Sequence, residues 1–171
     1  MRPLVILGSS RKDSDTRKFV DTIFEGIDHT LMDLLDLNIQ GYDYKHGYPP
    51  NDQYSAIVEA FLSHQQIVFA TPVYWYAMSS LMKTVFDRFS DLITYKKTIG
   101  RQLKGKSTFL IAVGADKLLP EGYETPFRET SDYLDMNYMG CIYCSTKQIS
   151  LSSEIIAEFR SKLQAGWLLR G

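Results

Sequence analysis

A stretch of small polar and charged residues, GSSRKDSDT at positions 8–16, has the composition of an anion-binding loop. It follows the apolar run Leu4–Leu7 and precedes apolar residues at helical spacing over 19–27, so it connects a predicted strand to a predicted helix. The first turn of a helix leaves backbone N–H groups unpaired and carries the positive end of the helix dipole. A phosphate group placed there gains several hydrogen bonds at once. The side chains that add donors or positive charge are Ser9, Ser10, Arg11, Lys12, Ser14 and Thr16.

Two aspartates in the same loop favour a simpler interpretation. Asp13 and Asp15 would repel a phosphate if their carboxylates pointed toward it. Ser and Asp are also favoured N-cap residues, so Ser14 or Asp15 would be accounted for by capping the helix alone. The loop by itself leaves both interpretations open.

A second unusual stretch, TPVYWYAMSS at positions 71–80, follows another apolar run. Its three consecutive aromatic residues, Tyr74, Trp75 and Tyr76, stand at a turn, where chains normally place polar residues. A flat conjugated ring, packed against these residues and hydrogen-bonded at its edge by backbone groups, would explain the composition. The alternative is that the aromatic residues form a dimer interface or cap the core.

Strands and helices alternate along the chain, which is typical of a parallel sheet covered by helices on both faces. The predicted strands are 4–7, 30–35, 66–71, 108–113 and 138–145, and the predicted helices are 19–27, 57–62, 81–93, 126–135 and 153–168. The economical arrangement is a flavodoxin-like α/β fold with strand order 2-1-3-4-5. In that order the loops after strands one and three open a crevice at the carboxyl ends of the strands. The donor-rich loop and the aromatic turn are these two loops, so they are predicted to face each other.

Length and composition indicate one ordinary domain over 1–171. The net charge of -1 argues against a nucleic-acid binder and against an acidic electron carrier. No segment approaches the roughly 20 apolar residues that span a bilayer, and the first apolar run is too short for a signal peptide. We therefore expect a cytoplasmic protein that binds neither nucleic acid nor membrane. The two cysteines agree with a reducing compartment.

Two other sites are considered and rejected from the sequence. Cys141 and Cys144 form a C-x-x-C, but they fall inside a predicted strand, where residues three apart point to opposite faces, so a core role is predicted for them. The three histidines, at positions 29, 46 and 64, lack partners at metal-ligand spacing, so no metal site is predicted.

The two stretches together resemble the NADPH-dependent FMN reductase family of flavodoxin-like NAD(P)H oxidoreductases. The family motifs have the form G-S-x-R-x-x-x-N-T and P-x-Y-W, the latter followed on the next helix by K-x-x-x-D-R. Here they read GSSRKDSDT and PVYW, followed by Lys83, Asp87 and Arg88. The resemblance covers about the first ninety residues, and the pattern of the remainder agrees with it.

The resemblance implies an FMN-dependent enzyme that takes hydride from NADPH or NADH and passes it to a small acceptor such as a quinone, free flavin or azo compound. It also implies a homodimer or homotetramer. The implied reaction requires no catalytic side chain. The implied FMN-binding residues are Ser9, Arg11, Ser14, Asp15, Thr16, Pro72, Val73, Tyr74, Trp75, Tyr76, Met78 and Gly114. The ring is expected to be placed by Trp75 and Tyr76, to have its reduced charge stabilised by backbone N–H groups, and to be approached from a third side by residues 113–116.

The sequence departs from the family pattern at Asp15, where Asn is usual, and its charge would lie near the phosphate unless the side chain turns outward. The loop after strand four has only one glycine, Gly114, where relatives often have more. The tyrosine-rich segment 42–54 is interpreted either as a lid or neighbouring-subunit contribution, or as a surface loop with locally packed tyrosines. An electron carrier of the flavodoxin type and a flavin-free interaction module remain the alternative functions.

Overall fold

Parallel strands form the central sheet of the computed structural model, which describes residues 2–147 and 151–165. The strands are β1 (Leu4–Leu7), β2 (Thr30–Asp33), β3 (Gln66–Pro72), β4 (Ser107–Gly114) and β5 (Asn137–Ser145). Within those ranges they pair in the order β2-β1-β3-β4-β5, all parallel. Every residue of β1 and β3 is buried, as expected of central strands covered on both faces. The predicted strand order and the flavodoxin-like fold are thus confirmed.

Helices cover both faces of the sheet. They are α1 (Asp15–Ile23), α2 (Tyr54–Ser63), α3 (Ser80–Ile93), α4 (Lys97–Gly100), α5 (Thr125–Tyr133) and α6 (Ser153–Ala165). Because neighbouring residues of a strand face opposite ways, Val5 packs with α1 and α6, whereas Ile6 packs with α2, α3 and α5. Two apolar cores therefore lie on either side of the sheet, and both help to place the loops at its carboxyl edge.

Some element bounds differ from the predicted ones for local reasons. The strand predicted over 30–35 ends at Asp33, whose carboxylate accepts the N–H of Leu35 and begins a short 3-10 turn at Leu34–Asp36. Helix α4 was not predicted, because four residues carry too little periodicity to recognise. The closing helix was predicted to reach residue 168, and its last three residues lie outside the described ones.

A bulge in β5 sets the direction of its side chains. Thr108 pairs with Tyr138 but Leu110 pairs with Cys141, so β5 has one extra residue opposite Phe109. After the bulge, Cys141 faces the core of α2, α3 and α5, whereas Cys144 faces that of α1 and α6. The predicted opposite orientation of these cysteines is confirmed, and both thiols are free.

A buried arginine of α3 forms ion pairs that connect this helix to the long loop after β2. The Arg88 side chain is 2% exposed, and its guanidinium donates to Asp91 over 2.7 Å and to Asp52 over 3.1 Å. It also lies 3.5 Å from the ring centroid of Tyr48 and 4.4 Å from that of Tyr54. Local packing is therefore the better interpretation for these two tyrosines of the segment 42–54.

Candidate functional site

The donor-rich loop leaves β1 at Gly8, whose N–H bonds to the Ala70 carbonyl of β3 over 2.8 Å. Ser14 is the N-cap of α1, because its Oγ accepts the N–H of Arg17 over 3.1 Å. Within the described part of the chain, the backbone N–H groups of residues 9–16 donate to no acceptor. The beginning of α1 therefore carries a series of available donors at the positive end of its dipole.

Two hydroxyl groups beside these donors belong to residues that are themselves nearly buried. Ser9 and Thr16 are each 2% exposed, and neither hydroxyl has a hydrogen-bond partner among residues 2–147 and 151–165. A phosphate bound at the start of α1 would satisfy both hydroxyls, so the residues present fit the phosphate of FMN.

The charged residues of the loop differ in their availability. Lys12 pairs with Asp36 at 2.5 Å and Asp33 at 3.0 Å, and these hydrogen bonds raise the pKa of Lys12. The structure thus departs from the expectation that Lys12 adds charge to an anion site, because this side chain braces the loop against the end of β2. Arg11 is exposed and has no ion pair among the described residues, so it is the available cation.

Asp15 does not point into the loop. Its carboxylate is exposed and lies 3.7 Å from the ammonium of Lys18, one helical turn further on. The outward orientation that a bound phosphate requires of this residue is therefore present. Asp13 is also exposed on the surface.

The aromatic turn is a two-residue hairpin with a strained backbone. Tyr74 and Ala77 exchange two backbone hydrogen bonds of 2.9 and 3.0 Å, and the residues between them have φ of 48° at Trp75 and 64° at Tyr76. Turns of this kind normally use Asn-Gly, since a left-handed conformation costs other residues about 1–2 kcal/mol each. Strain of this size is typical of functional segments.

The side chains of the turn divide into an exposed and a buried group. Trp75 is 93% exposed and Tyr76 is 70% exposed, while Tyr74 is about half exposed. Met78 is buried in the core beneath the turn. Met78 therefore belongs to the core, whereas the three aromatic side chains of the turn are open to solvent.

Two hydrogen bonds join the donor-rich loop to the aromatic turn. Ser79 Oγ donates to the Gly8 carbonyl over 2.5 Å, and the hydroxyls of Ser10 and Tyr74 lie 3.2 Å apart. The predicted meeting of the two loops is thus confirmed. Sequence reasoning missed Ser79, although a serine directly before a predicted helix is an N-cap signal.

The end of β4 forms a third side of the same region. Val73 N–H donates to the Val113 carbonyl over 2.7 Å, and the Tyr123 hydroxyl donates to the Pro72 carbonyl over 3.1 Å. A Cβ at Gly114 would lie 2.8 Å from the Tyr143 hydroxyl and 3.1 Å from Val73 Cβ, so this close approach requires glycine. Tyr123 and Tyr143 were missed because their role depends on strand pairing far from them in sequence.

A cavity of about 460 Å³ opens beside α1, and its lining includes Asp15, Lys18 and Cys144 but no residue of the aromatic turn.

Burial raises the pKa of the Cys144 thiol, and burial also raises that of Cys141, so neither has the thiolate character of a reactive cysteine. Among the described residues no group of His, Cys, Asp and Glu is arranged to hold a metal ion, and no helix is long and apolar enough to cross a bilayer.

The strand order, with a donor-rich helix start and an aromatic turn at the β1 and β3 ends, defines a flavodoxin-like protein with a crevice at its topological switch point. The chain belongs to the NADPH-dependent FMN reductase family, whose model matches residues 1–165. It is therefore an oxidoreductase with FMN as its cofactor and a nicotinamide as electron donor.

Individual relatives agree with this assignment. The chain is 28% identical over 151 residues to the putative NAD(P)H-dependent FMN-containing oxidoreductase YwqN of Bacillus subtilis, covering 83% of each protein. Its fold is similar to an NADPH-quinone reductase from P. pentosaceus, with a TM-score of 0.67, 16% identity and coverage of 94% and 96%. It is also similar to general stress protein 14 of Treponema denticola in complex with FMN, with a TM-score of 0.65, 18% identity and coverage of 99% and 100%.

Proposed function

We propose that this chain holds FMN between the loops that follow β1, β3 and β4, and uses it to pass electrons from NAD(P)H to a small acceptor such as a quinone, free flavin or azo compound. One observation carries the proposal: unpaired donors at the start of α1 lie beside a strained aromatic turn. The hydrogen bonds Ser79–Gly8 and Ser10–Tyr74 hold the two features together.

The phosphate end of the site is built from the backbone of residues 9–16, with Ser9 and Thr16 supplying hydroxyls and Arg11 supplying charge. The ring end is built from Pro72 to Tyr76 and from the backbone near Gly114. The N–H groups of Trp75 and Tyr76 have no acceptor in the described ranges, so they are available to the edge of a bound ring. This arrangement matches the usual ligand site, in which apolar walls surround a few fixed polar contacts.

Bound FMN supplies the hydride chemistry, and the protein supplies placement and electrostatics. The exposed Trp75 and Tyr76 leave one side of the turn accessible, so a nicotinamide and an acceptor have room to bind there in turn. The proposed hydride transfer needs no side chain as a general acid or base. The chain's own contribution is therefore to orient the ring and to present donors to it.

The nature of the acceptor is supported by the relatives. A structure with the same fold is an NADPH-quinone reductase, which favours a small planar acceptor over a protein partner. The net charge of -1 argues against an electron carrier that steers to basic partners. Family membership argues against a flavin-free interaction module.

An FMN titration followed by flavin fluorescence tests the proposal directly. The purified protein, stripped of flavin, is expected to bind FMN with a micromolar or tighter dissociation constant. Thr16→Ala should weaken binding about tenfold, which corresponds to about 1.4 kcal/mol, the scale of one hydrogen bond to a charged group.

Thr22→Ala is the matched control, because the Thr22 hydroxyl lies on the same helix but bonds to the Lys18 carbonyl. It should leave FMN affinity unchanged. The loaded protein is then supplied with NADPH or NADH and with quinone, flavin or azo acceptors. Absence of FMN binding, or equal weakening by the two threonine variants, would contradict the proposed site.

A further inference from the structure

The segment 115–118, which follows β4 at the rim of the proposed FMN site, is exposed and has almost no internal hydrogen bonding. Within the described part of the chain, a single hydrogen bond reaches it: the Tyr143 hydroxyl donates to the Asp116 carbonyl over 2.7 Å. One side chain from the neighbouring strand therefore determines how this piece of backbone is held.

The Tyr143 hydroxyl lies close to the end of β4. Tyr143 pairs with Ala112 in the sheet, and the Tyr143 hydroxyl occupies the space beside the buried Gly114, 2.8 Å from where a Cβ would stand. Its direction follows from the bulge in β5, which puts Cys141 and Tyr143 on the α5 side of the sheet. Burial raises the pKa of this phenol, so it stays protonated and able to donate at neutral pH.

The Tyr143 contact also fixes the direction of the N–H in the same peptide group. The carbonyl and N–H of a trans peptide point in opposite directions, so turning the Asp116 carbonyl toward Tyr143 directs the Lys117 N–H away from it. That N–H has no acceptor among the described residues. The end of β4, just before this segment, is hydrogen-bonded to the start of the aromatic turn after β3, because the Val73 N–H donates to the Val113 carbonyl. An unpaired donor, directed away from Tyr143, thus lies in the segment that follows the β4 end of the proposed site.

We infer that Tyr143 is a positioning residue, which orients the Asp116–Lys117 peptide so that its N–H stabilises the negative charge that FMN gains on reduction. The inference rests on the proposed function, because it needs FMN at the ends of β3 and β4. The physical reason is that a donor oriented in advance needs no reorganisation when charge develops. Removal of the Tyr143 hydroxyl should therefore weaken the binding of reduced FMN more than the binding of oxidised FMN.

The test compares Tyr143→Phe with Tyr138→Phe in protein reconstituted with FMN. Tyr138 is a matched control on the same strand, since its hydroxyl donates to Glu124 over 2.7 Å and does not contact the segment 115–118. The dissociation constant of oxidised FMN is measured by fluorescence, and the two-electron potential by equilibration with a reference dye. For Tyr143→Phe we expect oxidised FMN to bind within about threefold of wild type, and the reduced-to-oxidised ratio of dissociation constants to rise about tenfold. A tenfold rise in this ratio corresponds to a two-electron potential that is lower by about 30 mV.

A second pair of variants addresses the donor itself. Lys117→Pro removes the N–H, whereas Lys117→Ala keeps it and removes only the side chain. The proline variant should lower the potential as Tyr143→Phe does, the alanine variant should not, and the double variant Tyr143→Phe with Lys117→Pro should add little further shift. Because the proline variant keeps the tyrosine, it tests the donor half of the inference even if Tyr143→Phe fails to fold, and an unchanged potential there overturns the inference by itself.

An unchanged potential in Tyr143→Phe or in Lys117→Pro would overturn the inference. Equal weakening of the binding of oxidised and reduced FMN would overturn it too. Additive shifts in the double variant would also overturn it, because they would place the two groups in separate interactions. If wild-type protein binds no FMN at all, the proposed function fails instead, so the two failures are distinguishable.

Discussion

The hydroxyl of Ser79 donates to the carbonyl oxygen of Gly8 over 2.5 Å, and the same oxygen atom of Ser79 accepts the N–H of Met82 as the N-cap of α3. One buried side chain therefore begins a helix and joins two loops that are 71 positions apart in the chain. The cleft between the donor-rich loop and the aromatic turn depends on this contact, because it holds the end of β1 against the start of α3.

Ser79→Ala is expected to lower both stability and FMN affinity. Loss of an N-cap costs about 1 kcal/mol, and leaving the Gly8 carbonyl without its donor adds about 1–3 kcal/mol. Urea unfolding measures the first effect and FMN titration the second. Ser80→Ala is the control, since Ser80 is exposed at the first position of the same helix. Similar losses in the two variants would show that the Gly8 contact is unimportant.

Replacing the strained aromatic pair should separate stability from function. The double variant Trp75→Asn with Tyr76→Gly puts the preferred residue types at two left-handed positions. Its free energy of unfolding should rise by about 1–3 kcal/mol, while FMN affinity falls because the apolar surface is lost. Thermal unfolding and FMN titration check the two effects. Tyr44→Asn, which removes an exposed aromatic residue elsewhere, should change neither quantity. A stabilised variant with undiminished FMN affinity would show that the strain has no binding role.

A methyl group at Gly114 should disturb the third side of the site. Gly114→Ala places Cβ 2.8 Å from the Tyr143 hydroxyl and 3.1 Å from Val73 Cβ, so one of them must move. Overpacking of this kind destabilises by about 1–3 kcal/mol, and FMN affinity should fall with it. Gly41→Ala is the control, because a Cβ there meets nothing within 4 Å. Calorimetry and fluorescence titration check both effects, and equal behaviour of the two variants would be the contrary result.

The buried ion pairs of Arg88 predict an acid-sensitive contribution to stability. Burial alone would raise the pKa of Asp52, but the hydrogen bonds and charge of Arg88, with the N–H of Gln40, outweigh it and lower that pKa. A carboxylate with a lowered folded-state pKa stabilises the protein above its unfolded value of about 3.9, and this contribution is lost as pH falls through the lower folded value.

The variant Asp52→Asn should therefore lose stability at pH 7, by about 1–3 kcal/mol, and show a shallower decline than wild type below about pH 4. Urea unfolding at several pH values checks the prediction. Asp132→Asn is the control, because Asp132 is exposed and has no ion pair in the described ranges. A wild-type decline that persists unchanged in Asp52→Asn would assign the acid sensitivity to other groups.

Local pattern was sufficient to predict most of the fold. Apolar runs such as Leu4–Leu7 indicated central strands, helical spacing after residue 19 indicated α1, and βα alternation left one economical strand order. The adjacency of the two loops followed from that order, because the carboxyl ends of β1 and β3 meet at one edge. These features depend on residues close together in the chain or on rules of parallel connection.

Tertiary structure alone decided which side chains are available and which are already engaged. The sequence by itself determined a flavodoxin-like chain with a donor-rich loop facing an aromatic turn. Only the folded chain shows Lys12 bound to Asp36, Asp15 turned toward Lys18, and Tyr143 reaching the Asp116 carbonyl. The physical reason is that a polar side chain has several partners within reach along the chain, and packing between distant elements selects one of them.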